Sequence, residues 1–376
     1  MPLEPGIESA HGCGIEKDGG RMTLKSIRNQ KVRGPTGPGL KGTGLKGPGL
    51  KSTGLKGSRL RHMASTAVIV LALAHWAGLA SGQIAAPRLN GMAITAGTPY
   101  NPAVTVMQGR SSIVLNTMST TVTESPPGMA GIQVAQGTGG AGRFDLVWES
   151  FGMTLVGYSQ DLVLEAPAPP GNLELSGSLG AFSWRGGEIM AFGMGIQSEK
   201  VVDPGFSERS RTPSAGAVLQ LGGFSIGGSL GEENISRSET FPVPVQGEAD
   251  RTVWNIGLAV RWREGPEGLH LQAWQQQAKG SSLGAFQVEE EKTTGGTIEA
   301  VIFNILFSME SSSTERIDPN TGDVSTEETD STVGVGLDFG EGLGLLVGVN
   351  LFEEDEMFNN IHREVETSIV SLGWLF

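Results

Sequence analysis

One cysteine, Cys13, stands in 376 residues, with two tyrosines and five histidines. A lone thiol excludes a disulfide framework and a thiolate metal cluster. Charged residues make up 18% of the chain, too few for a coiled coil or a disordered acidic polypeptide. A formal net charge of −13 argues against a nucleic-acid partner, because phosphate binding needs clustered basic charge. No apolar run reaches the ~20 residues that a membrane-spanning helix needs. Glycine, by contrast, is abundant at 57 residues, roughly twice its usual share. That balance points to many short strands joined by glycine turns.

The two ends of the chain differ in chemistry. Residues 1–62 carry a net charge of +8 and residues 83–376 a net charge of −21. The first stretch holds a five-residue repeat (GLKGT, GLKGP, GLKST, GLKGS) with no apolar period that could build a core. It is expected to be a disordered, low-complexity leader or a basic tail, with translation starting at Met22 or Met63. Residues 63–82 read as a secretory signal peptide. Arg59, Arg61 and His62 are basic, Ala67–Ala74 are apolar, and Ala80-Ser81-Gly82 supply the small residues of a cleavage site. No cysteine follows the apolar stretch, so a lipoprotein anchor is excluded.

Beyond residue 83 the hydropathy alternates with a period of two. In Thr252–Arg263 one face carries Trp254, Ile256, Leu258, Val260 and Trp262, while the other is small or charged. Side chains alternate across a strand, so such a segment has one apolar and one wet side. Trp254 and Trp262 are eight residues apart, which suits the two interfaces of an apolar band ~25 Å tall. With Trp148 they are the expected membrane girdle. The same alternation runs through Phe144–Trp148, Met190–Ile196, Val301–Met309, Val333–Phe339 and Leu343–Leu351. Short turns are expected at 149–152, 185–188, 222–223, 264–268, 293–296 and 340–342. Longer loops are expected at 123–142, 166–171, 200–212, 232–250, 278–282, 311–331 and 353–363. Short turns on one side and long loops on the other describe an all-β transmembrane up-and-down barrel over 112–376, with about 14 strands.

The chain finishes with Val370, Leu372, Trp374 and Phe376 on one face. This resembles the terminal strand that outer-membrane barrel proteins present to the barrel-assembly machinery. Nearer the N-terminus, Asn101-Pro102-Ala103 precedes a short polar, glycine-containing stretch and the first strand. The triplet resembles the plug region of FadL-type outer-membrane transporters, and 14 strands match that family. The resemblance implies a barrel plugged by residues 83–111 that passes small hydrophobic molecules such as fatty acids or aromatic hydrocarbons. It implies Asn101, Pro102 and Ala103 as plug residues and an outer membrane rich in lipopolysaccharide as the setting. The mature chain is short for that family.

The lumen face can be read on its own. Expected inward residues are Asp145, Glu149, Asp161, Glu188, Arg261, Arg263, His270, Gln272, Gln276 and Asp338. Trp274, Ile302, Leu306 and Leu346 form an apolar minority. A water-filled porin should carry a charged ring at a constriction, whereas apolar lining fits a hydrophobic ligand better. Arg261 and Arg263 would neutralise inward carboxylates or hold a substrate carboxylate as bidentate partners. No cofactor or metal is expected. The acidic runs at 327–330 and 353–356 read as solvated loops, although hard divalent cations also favour such oxygen-rich groups. Asp318–Asp323 reads as a hairpin turn. Only His270 and His362 could serve a rim hydrolase, and no nucleophile motif accompanies either, so an enzyme is not expected. A structural or adhesive barrel and a general diffusion porin remain as alternatives.

Overall fold

The computed structural model describes Ile84, Ala85 and residues 100–376, apart from 126–129, 166–170, 204, 240–244, 265–266, 282–288, 319, 341 and 358–359. The leader at 1–62 and the export segment at 63–82 lie outside the described residues. Fourteen antiparallel strands form one closed barrel. They are β1 (Ser112–Ser125), β2 (Ile132–Trp148), β3 (Phe151–Leu164), β4 (Gly171–Arg185), β5 (Met190–Asp203), β6 (Phe206–Leu221), β7 (Phe224–Glu239), β8 (Val245–Glu264), β9 (Glu267–Ser281), β10 (Glu290–Ile302), β11 (Ile305–Ile317), β12 (Val324–Gly340), β13 (Leu343–Glu356) and β14 (Ile361–Leu375). Each strand pairs with its sequence neighbours. The barrel closes where β1 meets β14, from Ser112 opposite Leu375 to Ser125 opposite His362. Closure matters because an open sheet edge in hydrocarbon would leave backbone N–H and C=O groups without partners.

Both barrel termini and the tightest turns share one end, the periplasmic end by the usual layout of such barrels. Positive φ angles mark these turns at Glu149, Gly187, Gly222, Phe303, Asn304 and Gly342. Just above them runs a belt of exposed apolar side chains that includes Trp148, Trp262, Phe307, Val335, Val347, Val370, Leu372, Trp374 and Phe376. Trp254 belongs to the same outward row of β8 but is only half exposed. Tyr100 and Tyr158 both point inside, so Trp and Phe alone supply the aromatic belt.

Two expectations about the strands need correction. The turn expected at 293–296 lies inside β10, and the real reversal is Phe303-Asn304, where φ is 49° and 67°. Two successive positive φ values are the signature of a tight primed hairpin turn. Val301–Met309 is therefore not one strand. Ile302 faces Ile305 on the outside, and Val301 faces Leu306 on the inside. The expected loops at 123–142, 200–212, 232–250, 278–282, 311–331 and 353–363 are also mostly strand.

The second error has one physical cause: the strands outrun the membrane, and the polarity of their two faces inverts as they do. On β13 the outward row reads Leu343, Leu345, Val347, Val349 and Leu351, then Glu353 and Asp355. On β3 the inward row runs from Thr154 through Gln160 to Leu162 and Leu164. Inside the hydrocarbon an apolar side chain must face out, but above it water lies outside and burial is available only within. A polar outer row there looks like a loop in the sequence, although the backbone ladder continues. Asp161 is accordingly exposed on the outer face rather than in the lumen.

Candidate functional site

Ile84, Ala85 and residues 100–108, ahead of β1, lie in the periplasmic half of the lumen. A single 3-10 turn, Thr105–Gln108, follows Asn101-Pro102-Ala103, and Thr105, Val106 and Met107 are buried. Asn101 is fully buried and fastens three pieces together. Its Nδ2 donates to the carbonyls of Ile84, Ala217 and Gly228, each at 3.0 Å, while its Oδ1 accepts from the N–H of Ala103 at 3.0 Å. An amide suits this place because it donates and accepts from one planar group. Ala103, Val104, Val106 and Met107 then pack on Ala191 of β5 and Val218 of β6.

Glycines in the wall make room for this segment. A Cβ at Gly193 would lie 2.4 Å from the carbonyl carbon of Pro102, and one at Gly216 would lie 2.0 Å from Asn101 Oδ1. One at Gly152 would meet Val106 N at 2.8 Å, and one at Gly227 would meet Ile84 O at 2.3 Å. Backbone thus lies directly on backbone across β3, β5 and β7, and the Asn101 amide lies directly on the backbone of β6, as only glycine permits.

A buried polar knot ties the segment to β1–β3. Asp145 accepts from Ser112 Oγ at 2.8 Å, Thr154 Oγ1 at 2.6 Å and Arg143 Nε at 2.7 Å. Thr154 accepts from the Tyr100 hydroxyl at 2.9 Å, and the Arg143 guanidinium lies 5.6 Å from the Tyr100 ring centre. Removing one partner of a buried ion pair costs ~3–5 kcal/mol, because the other charge stays desolvated. Asp145→Ala should therefore lower the urea midpoint of the folded barrel sharply. Asp145→Leu combined with Arg143→Met should recover most of the loss. If Asp145→Ala matches wild type, the knot contributes nothing to stability.

Above the plug the lumen divides into two unlike halves. On β1–β6 and the adjoining β13–β14, eleven inward residues form an apolar cluster at the far mouth: Val122, Val134, Ala135, Leu162, Leu164, Leu173, Leu175, Val201, Phe206, Phe352 and Val365. On β7–β14 the wall is charged, with three of its arginines held in ion pairs and Glu299, Glu310 and Asp330 buried beside them. Arg251 bridges Glu233 at 2.5 Å and Glu291 at 2.9 Å, Arg316 bridges Glu328 at 2.6 Å, and Arg363 bridges Glu354 at 3.2 Å. Between plug and mouth lies a cavity of about 110 Å³ whose lining includes Tyr100, Gln197, Ser214, Asn255 and Gln276.

The residues singled out from the sequence fall as follows. Asn101, Pro102 and Ala103 are buried in the lumen; Asp145 and Trp274 are buried and face inward. Arg261 is half-buried on the inward row of β8, and Arg263 lies on that row but is exposed beside the periplasmic turn. Glu149 is not a lumen residue: it occupies the β2–β3 turn with φ 50° and is exposed. Glu188 is likewise in a turn. The turns protrude past the barrel rim, so a charge there is solvated without facing in. Glu328 and Asp330, read as loop residues, are buried and inward on β12, and Glu354 is buried and inward on β13. Asp318–Asp323 is the β11–β12 turn, with Gly322 N–H bonded to Asp318 O at 2.8 Å. His362 Nδ1 stands 2.9 Å from Asp355 Oδ1, an exposed pair at the rim. The glycine seats, Tyr100, Thr154 and the Arg251, Arg316 and Arg363 pairs escaped the sequence reading. Glycine recurring at inward positions was the signal available for the seats.

A closed 14-strand barrel with its own N-terminal segment lodged inside defines a plugged barrel of the outer-membrane type. Two solved structures share this fold: the ΔS2 mutant of the monoaromatic hydrocarbon channel TodX, at TM-score 0.51 and 7% identity, covering 78% of this chain and 95% of that one, and its ΔS2S3 mutant, at TM-score 0.50 and 8% identity, covering 81% and 98%. The toluene transporter TodX of Pseudomonas putida aligns at TM-score 0.49 and 9% identity over 80% of this chain and 97% of that one. At these identities the likeness is one of fold. No protein-family model matches the chain, and no curated protein sequence matches it significantly.

Proposed function

We propose that this chain is an outer-membrane transporter for small hydrophobic molecules, closed from within by its N-terminal segment. The observation that carries the reading is the apolar cluster inside the far mouth. A water-filled porin has no use for eleven buried apolar side chains on its inner wall at the mouth. A hydrophobic solute leaving water gains ~25 cal/mol per Å² of apolar surface it buries, and these side chains would supply that surface to a solute that parts them ahead of the plug. The solved barrels that share the fold are channels for monoaromatic hydrocarbons, and ring-sized hydrocarbons or fatty acids are the substrate class proposed here. On this reading residues 63–82 export the chain, residues 83–111 are the plug and residues 112–376 the barrel. Lipid and lipopolysaccharide surround the belt, and the assembly machinery reads Val370, Leu372, Trp374 and Phe376.

The test is uptake of radiolabelled toluene and of labelled long-chain fatty acid by cells with and without the protein, beside single-channel conductance. Faster uptake of one of them with little steady conductance is expected. A large, steady ion conductance would assign an open porin instead, and neither signal would leave a structural barrel.

A further inference from the structure

On the inner wall of β9–β11, polar side chains are buried with hydrogen-bonding atoms that have no partner. Both amide atoms of Gln272, the indole Nε1 of Trp274, the Thr297 hydroxyl and the Ser308 hydroxyl are in this state. All four residues are more than nine-tenths buried. They also form one patch. Thr297 stands directly opposite Gln272, and Gly295 opposite Trp274. One strand further, Ser308 stands opposite Glu299 and Glu310 opposite Thr297. The patch abuts the plug: Gln272 and Trp274 face Ala259 and Gly257 of β8, which carry Ala85 and Ile84.

A buried hydrogen-bonding atom left unmatched is costly, so several together on one wall call for an occupant. The patch offers donors from the amide and indole, an amide acceptor, and two hydroxyls that do either. Its charges select among occupants. Glu299 and Glu310 face in from β10 and β11, His270 stands opposite Glu299, and Arg261 opposite His270 is the cation at its periplasmic edge. An anionic head would meet two carboxylates against one guanidinium. A pure hydrocarbon would leave every one of these atoms unmatched.

We propose that this patch is a binding site, at the seam between plug and wall, for a neutral amphiphile: a hydrophobic body carrying a hydroxyl that donates and accepts, as in an alkylphenol. The inference rests on the transport reading and narrows its substrate class. A hydroxyl-bearing solute crossing the seam exchanges water for Gln272, Thr297 and the Trp274 indole N–H.

The experiment uses the full barrel in detergent and three probes of one size, 4-propylphenol, propylbenzene and 4-propylbenzoate. Binding is read by calorimetry and tryptophan emission against empty micelles. 4-Propylphenol should bind roughly tenfold tighter than the other two, the gain of one or two matched hydrogen bonds. Gln272→Leu with Thr297→Val should erase that preference while leaving propylbenzene affinity unchanged. Trp274→Phe, which removes little but the N–H, should weaken 4-propylphenol alone and covers the case in which the double variant fails to fold. Equal affinities for phenol and hydrocarbon in the wild type would mean that only water occupies the patch, and the proposal would be overturned. So would a phenol preference that survives these substitutions, or tighter binding of the benzoate. Propylbenzene entry into proteoliposomes tests the transport reading separately: entry without phenol preference leaves transport standing and removes this site.

Discussion

Replacing Gly193 by valine should unseat the plug and turn a closed barrel into a conducting one. The strand itself accepts valine, since Gly193 does not need a left-handed φ and β-branched residues suit strands. The conflict lies with the plug. The new Cβ would fall 2.4 Å from the carbonyl carbon of Pro102 and 2.5 Å from the N–H nitrogen of Ala103. Both are backbone atoms, so no rotamer change relieves the overlap, and overpacking of this kind costs ~1–3 kcal/mol or more. Lifting Pro102 also pulls Asn101 away from the carbonyls of Ala217 and Gly228, which removes the fastening of the whole segment. Single-channel recording should show a steady conductance several times that of wild type. Cells carrying the variant should become sensitive to large hydrophilic antibiotics. Gly157→Val is the control, because a Cβ there meets nothing within 4 Å. Wild-type conductance in Gly193→Val would mean that the plug does not close the pore.

Removing residues 374–376 should abolish assembly almost completely. The seam between β1 and β14 finishes with reciprocal bonds between Ser111 and Phe376, at 3.1 and 2.9 Å. Trp374 and Phe376 lie on the lipid side with ring centres 5.3 Å apart. Without them the starts of β1 and β13 face hydrocarbon unpaired, and each such backbone group costs several kcal/mol in lipid. The folded, heat-modifiable form should disappear from the outer-membrane fraction, whereas Phe376→Leu should keep much of it. Wild-type amounts of folded truncated protein would show that the seam does not need its aromatic end.

The legible part of this molecule was the part that the membrane dictates. Trp262, Val335 and Leu372 must face lipid, so a period of two with one apolar face marks the strand number and the outward rows in the sequence itself. Asn101-Pro102-Ala103 stood out by resemblance alone, and its burial has a physical basis in the three carbonyls that Asn101 joins. Where the strands leave the hydrocarbon, the rule reverses. Asp161 turns outward and Leu162 inward, and a reading that always sends charge to the lumen fails there. The Phe303-Asn304 turn was hidden because apolar residues flank it on both sides and no glycine marks it. The Gln272–Thr297 patch was invisible for another reason: nothing in a sequence says which buried polar atoms lack partners. The plug seats needed knowledge of which glycines face inward at one level of the barrel, which is a matter of register.

On the function proposed above, hydrophobic molecules pass through this barrel while water-soluble ones do not. Purified protein in liposomes, given labelled toluene and a small sugar side by side, tests it most directly. Toluene entry should rise above protein-free liposomes and saturate with concentration, while sugar entry stays at background. Sugar entry at the rate of an open porin, or toluene entry no faster than through lipid alone, would contradict it.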